Sequence, residues 1–185
     1  GYKMDHKLMN RGIEPVFKDE KTPYKRIYID LPGMGKTKAA PWLKNADIML
    51  DILLDFINYA TGGENFLLAA ESYGCYLSMG ILKKLSHQTD GVFFLAPCII
   101  SDYTKRTLPL ESTVYSEKIT DSAEFEEEIK EFGEMAVIVT NDTWTDYKNN
   151  ILPSIKSADK DFLTFYRENG YGFSFEDDFG SLVYS

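Results

Sequence analysis

The chain has 185 residues, 44% of them hydrophobic and 14% aromatic, which excludes a disordered polymer and is enough for one domain with a real core. A net charge of −9, with acid spread along the length, argues against the basic face that phosphate binding needs, so no nucleic-acid partner is expected. The longest apolar runs, such as FFLAPCII, are far too short to span a membrane, and no membrane association is expected.

In chain order, the first expected strand is RIYID, Arg26 to Asp30, followed by the glycine-rich turn LPGMGKT. NADIMLDILLDFINYATGG then predicts a helix, with Asn45 to cap its start and Gly62–Gly63 to end it. Asp47, Asp51 and Asp55 recur every four residues along it and are read as a solvated acidic stripe rather than metal ligands. Phe66 to Ala70, FLLAA, is the second strand. YGCYLSMGILKKLSHQTDG is the next helix, and Val92 to Ala96, VFFLA, is the third strand. All three strands are short, apolar and unalternating, as suits strands covered on both faces of a parallel sheet. Strand alternating with helix gives an α/β fold class.

After Pro97 the character changes. DSAEFEEEIKEFGE predicts a helix with Phe125, Ile129 and Phe132 on one side and acid on the other, and SADKDFLTFYRENG predicts another. MAVIVT between them fits a strand or a helix equally, because periodicity alone does not decide. The expected division is a core over residues 1–100 and a mostly helical region over 101–185.

Cys75 and Cys98 are the only cysteines, both in apolar or small-residue surroundings, and are read as free thiols in a reducing compartment. The sequence also has no basic-then-apolar leader, and the expected location is cytoplasmic. His6 and His87 are the only histidines, and no Cys/His spacing suggests zinc. No metal and no cofactor is expected.

Two stretches carry chemistry. Gly35-Lys36-Thr37 has the look of a phosphate-binding loop, but that pattern needs a glycine at position 30, where Asp30 would set a carboxylate beside the anion. Pro41 also disfavours the uninterrupted helix that should follow. The second stretch is Ala70-Glu71-Ser72-Tyr73-Gly74, small-x-Ser-x-small, with a strand before it and a helix after. A sharp strand-to-helix turn holds such a serine strained, its hydroxyl proud of the sheet edge, and the small flanking positions let strand and helix approach. The Tyr73 amide and the helix N-terminus would then face an oxyanion formed at Ser72.

IYIDLPGMGKT, LLAAESYGCYLSMGIL and GVFFLAPCI, in this order and at these intervals, resemble the α/β-hydrolase family. The resemblance covers residues 1 to about 100. It implies a serine hydrolase with Ser72 as nucleophile, a partial α/β-hydrolase core, and a helical cap from residue 101 onward. GYKMDH resembles the family's oxyanion stretch, which implies that Tyr2 supplies a second amide to the oxyanion hole. In the family an acid and then a histidine follow the serine, whereas here no histidine follows His87. His87 lies roughly 20 Å along the helix from Ser72 at 1.5 Å per residue, and His6 precedes the serine. Asp102 is an alternative acid position, or a turn cap after PCIIS. The expectation is therefore a central piece of a longer hydrolase, incomplete at both ends, acting on a small carbonyl ester through an acyl-enzyme. The rival reading is a non-catalytic binding protein on the same fold. The expected partner is a small-molecule substrate; oligomeric state is left open.

Overall fold

Asn45 has a short side chain that can reach back to an amide three residues on, and this starts the longest helix of the chain. A computed structural model describes residues 1–19, 21, 24–108 and 113–179. A short helix, α1 (Lys7–Ile13), follows the N-terminal turn. Helix α2 (Ala46–Thr61) begins where Asn45 Oδ1 accepts from the Ile48 amide at 3.0 Å, and it closes on Gly62 at φ 65°. It buries Ala46, Met49, Leu50 and Leu53, while Asp51 and Asp55 stay exposed. Among the described residues no group of three His, Cys, Asp or Glu is placed to hold a metal ion.

Strand β1 (Phe66–Glu71) leads through Ser72 into α3 (Tyr73–Leu85), and the chain returns as β2 (Thr89–Leu95). The two strands pair in parallel, Leu67 opposite Gly91 and Glu71 opposite Leu95. One face of the pair packs on α2 and α3 through Phe66, Leu68 and Ala70. On the other face Leu67, Phe93 and Leu95 are each about half exposed, so coverage on both faces does not hold among the described residues. A second correction concerns Arg26 to Asp30. It forms no strand, because a strand exists only through a ladder partner and no described segment pairs with it; Ile27 and Ile29 are exposed.

The contacts divide the chain into two units, Gly1–Arg106 with Ala158–Ser185, and Thr107–Ser157. The second unit holds the two-residue strands β3 (Tyr115–Ser116) and β4 (Ile138–Val139), paired in parallel, with helices α4 (Glu126–Met135), α5 (Asn141–Asn150) and α6 (Leu152–Ser157). Its core is Phe132, Val139, Trp144, Tyr147 and Leu152, with Phe125 and Ile129 packed against it. MAVIVT thus divides: Met135 ends a helix, and Ile138–Val139 form the strand. Helix α7 (Lys160–Gly170), capped by Asp159 on the Phe162 amide, belongs to the first unit. Tyr166, Phe173 and Phe179 enter the first core, where the sequence reading had grouped residues 101–185 together. Within that range, 109–112 and 180–185 lie outside the described residues. Among the described residues no helix is long and apolar enough to cross a membrane.

Candidate functional site

Parallel pairing carries the end of β1 beside the end of β2, and the chain turns sharply there. Ser72 sits at φ 50°, ψ −117°, one of three non-glycine residues at positive φ among those described. A side chain is strained in that region, typically by about 1–3 kcal/mol, so the surroundings must enforce it. They do: the Ser72 amide donates to Leu95 O at 3.0 Å, and Ser72 O accepts from the Cys75 and Cys98 amides at 3.0 and 3.2 Å. The serine hydroxyl makes no capping bond to α3, although Ser72 stands at its N-cap. A Cβ on Gly74 would lie 3.6 Å from Ala70 Cβ, ordinary contact, which leaves room there for alanine and little more.

Tyr73 opens α3 with its ring fully buried, and among the described residues nothing accepts from its amide. Its phenol meets the Tyr166 hydroxyl at 2.8 Å and donates to Tyr171 O at 3.0 Å, while its ring stacks on Tyr171 with centroids 4.1 Å apart. Burial, then the neighbouring Tyr166, holds that phenol neutral far above the ordinary range. Tyr76 lies near parallel to both Tyr73 and Tyr171, with centroids 5.7 and 6.3 Å away, accepts from the Phe173 amide at 2.6 Å and donates to Glu176 Oε2 at 2.6 Å. The turn at Ser72 therefore rests on a buried tyrosine stack, which holds the start of α3.

Tyr2 reaches the same stack from the N-terminal turn. Its ring meets Tyr73 edge-on at 5.5 Å and Tyr171 at 5.4 Å, its hydroxyl donates to Leu163 O, and the Arg167 guanidinium lies over the ring. Burial pushes its phenol up to about 12, against the opposing charge of Arg167. Its amide, like that of Tyr73, has no acceptor among the described residues. Tyr2 thus meets, ring to ring, the residue that follows Ser72.

Asp102 lies apart from any imidazole. Its carboxylate accepts from the Thr104 amide at 2.9 Å and hydroxyl at 2.7 Å, which caps the turn at 103–105 and holds the carboxyl below its ordinary range. An open cleft of about 430 Å³ in the first unit is lined by Ser101, Asp102, Tyr103, Arg106, Arg167 and Tyr171, among others. Tyr171 is shared between this cleft and the tyrosine stack. Met34 packs on Ala158 and Leu163, Trp42 is 60% exposed, and Trp144 is core of the second unit.

Neither histidine touches Ser72. His87 is exposed in the turn after α3, and His6 donates its amide to Asp30 Oδ1 at 2.6 Å, with Nδ1 2.9 Å from the same oxygen. Asp30 also accepts from the Lys36 amide at 2.9 Å. The glycine turn therefore spends its amides internally: Gly33 on Thr37 O, Met34 on Leu31 O, Lys36 on Asp30. A phosphate would find a carboxylate already in the cradle. Both cysteines are free thiols; Cys75 is buried and Cys98 is contacted through its sulfur by Arg106 at 3.2 Å.

A solved structure, an alpha/beta superfamily hydrolase from Oenococcus oeni PSU-1, matches this chain with a TM-score of 0.84 and 34% sequence identity. The chain has the α/β-hydrolase fold. The match covers 97% of this chain and 65% of that one, so the present chain spans about two thirds of the relative's length. No protein-family model matches the chain, and no curated protein matches it significantly. Within the α/β-hydrolase fold the positive-φ serine is local and visible in sequence as a pattern of small residues. The Asp30–His6 tie has no such signal, because it joins residues distant in the chain with no motif to announce it.

Proposed function

We propose that the chain is part of a serine hydrolase that cleaves a small carbonyl ester or a related substrate through an acyl-enzyme on Ser72. The observation that carries this reading is the conformation of Ser72: a serine held at φ 50° between a parallel strand and a buried helix, its hydroxyl spared from capping. Strain of this kind is kept where a side chain must project from the turn. In the proposed step, Ser72 Oγ adds to the substrate carbonyl carbon and its proton passes to a base. The tetrahedral oxyanion receives hydrogen bonds from the Tyr73 and Tyr2 amides. Collapse expels the alcohol with the proton, and water then releases the acid by the same route. The base and its orienting acid are drawn from outside residues 1–185, since neither His6 nor His87 hydrogen-bonds to Ser72.

The test uses the full-length protein. A fluorophosphonate probe is expected to label Ser72, and p-nitrophenyl acetate to be cleaved, with both lost in Ser72→Ala. Absence of labelling together with an uncleaved ester would sink the reading. The lack of any imidazole in contact with Ser72 favours a second reading, a binding protein on the same fold, and that outcome is what it foresees.

A further inference from the structure

The open cleft of the first unit is walled by two guanidiniums that form no ion pair among the described residues. Arg106 donates Nε to Ile100 O at 2.7 Å, and Nη2 to Ser101 O at 3.0 Å and to Cys98 Sγ at 3.2 Å. Its guanidinium lies over the Tyr103 ring, and Nη1 has no acceptor among the described residues. Arg167, on α7, is exposed and lies over the rings of Tyr2 and Tyr171, with no hydrogen bond among the described residues. An arginine already held by its neighbours loses little further freedom on meeting a ligand, and its unused N–H groups form a planar fork.

The two charges act on one hydroxyl. Burial chiefly raises the Tyr171 phenol, and Arg167 and Arg106 both oppose that rise. Tyr171 lines the cleft between them in function as well as in place, because its ring also stacks on Tyr73. Cys98, whose sulfur meets Arg106, donates its amide to Ser72 O, so the cleft wall and the turn at Ser72 share neighbours.

The acids of the same wall bear on the ligand's charge. Asp102 is committed to the Thr104 amide and hydroxyl, and Glu168 stands exposed beside Arg167 in the chain. Two cations and two carboxylates leave little net field to draw in a dianion or a polyphosphate, whereas a planar monoanion can take the guanidinium forks at short range. We propose that this cleft binds the carboxylate of a small organic acid, with Arg106 and Arg167 as its donors. A volume of about 430 Å³ suits a ligand of that size. The assignment goes beyond the hydrolase reading and does not draw on it.

The experiment uses full-length protein and three probes: benzoate, its uncharged isostere benzamide, and inorganic phosphate. Calorimetry reads affinity, and ¹H–¹⁵N spectra of the arginine side chains read place. Benzoate is expected to bind saturably and to move two Nε–H resonances, one absent from the spectrum of Arg106→Lys and the other from that of Arg167→Gln. Benzamide and phosphate should each bind at least about 10-fold more weakly. Arg167→Gln should weaken benzoate about 10- to 100-fold, the loss of a hydrogen bond between charged groups. Arg106→Lys keeps the charge but gives up the fork, and should weaken it about 5-fold or more. If Arg106→Lys fails to fold, Arg167→Gln decides alone, since that side chain is exposed and touches only ring faces.

Benzoate that shows no saturable binding below about 20 mM, or that binds Arg167→Gln as tightly as wild type, would overturn the proposal. Benzamide equal to benzoate would overturn it as well, because charge would then count for nothing. Phosphate tighter than benzoate would replace the carboxylate with another ligand and sink the class assigned here. A protein that binds benzoate through these arginines yet cleaves no ester removes the hydrolase reading and supports the cleft assignment unchanged.

Discussion

Ser72 and Asp30 show how a single residue sets local geometry in opposite ways. Ser72 stores strain, so replacing it with glycine, which tolerates positive φ, should stabilise the fold by about 1 kcal/mol and raise Tm by about 2–4 °C while abolishing any serine chemistry. Differential scanning calorimetry checks this, and Ser72→Ala, which keeps the strain, should gain no such increment. Asp30 relieves rather than stores: it is 7% exposed and accepts from two amides and a ring nitrogen. Burial alone would raise its carboxyl, but the Lys36 and His6 donors outweigh burial and hold it below the ordinary range. A carboxyl with a depressed folded-state pKa contributes stability that is full above the unfolded value near pH 4 and is lost as pH falls through the folded value. Asp30→Asn, which turns an NH₂ toward one of those donors, should therefore cost about 2–3 kcal/mol at pH 7 in urea unfolding. The gap to wild type should shrink as pH is lowered from about 4. Had the sequence been asked only about such residues, Ser72 was legible because its small neighbours lie within two positions. Asp30 was legible only as a misfit in a phosphate loop; that His6 would be its partner depends on how the chain folds back.

Among the elements, α2 was readable end to end because its signals are local: Asn45 and Gly62 declare the caps and the apolar stripe declares the buried face. Helix α5 was not, since NDTWTDYKNN has no clear apolar stripe, although Thr140 and Thr143 form a reciprocal capping box at its start. Arg26 to Asp30 failed in the other direction. Its β-branched and aromatic residues suit a strand, but a ladder is made with a distant partner that composition does not reveal. Helix α3 carries a prediction that runs against propensity. Gly80 in its interior would ordinarily be improved by alanine by about 1 kcal/mol. Here a Cβ would stand 2.6 Å from Phe173 Cζ and 3.0 Å from Leu50 Cδ2, inside the buried cluster. Gly80→Ala should instead destabilise by about 1–2 kcal/mol, seen as a lower urea midpoint at unchanged slope.

At the scale of the whole chain, the two units carry one tryptophan each, and these are the only two. Trp42 of the first unit is 60% exposed, whereas Trp144 of the second is 1% exposed and donates to Asp121 Oδ2 at 2.6 Å. Trp42→Phe should leave a blue-shifted emission that acrylamide quenches poorly, and Trp144→Phe a red-shifted one that it quenches well. Equal quenching of the two variants would contradict the burial described here. The contacts place the first unit's boundary at Arg106 and return the chain to it at Ala158. The return of α7 and residues 171–179 to the first core was illegible, since Tyr166, Phe173 and Phe179 look like any other aromatic residues until their distant partners are known.

The tyrosine stack beneath the elbow has an optical consequence. The phenols of Tyr2, Tyr73, Tyr76, Tyr166 and Tyr171 are all held neutral above their ordinary range, chiefly by burial, while Tyr24, Tyr59, Tyr103 and Tyr115 face solvent. A buried phenol with a raised folded-state pKa lends stability that is full below about pH 10 and is withdrawn as alkali climbs toward the folded value. Tyrosinate absorbance near 295 nm from these five rings should therefore rise cooperatively, when the stack comes apart. The first unit thus carries its own indicator dye, silent while the serine turn is intact and coloured once the ground beneath it gives way.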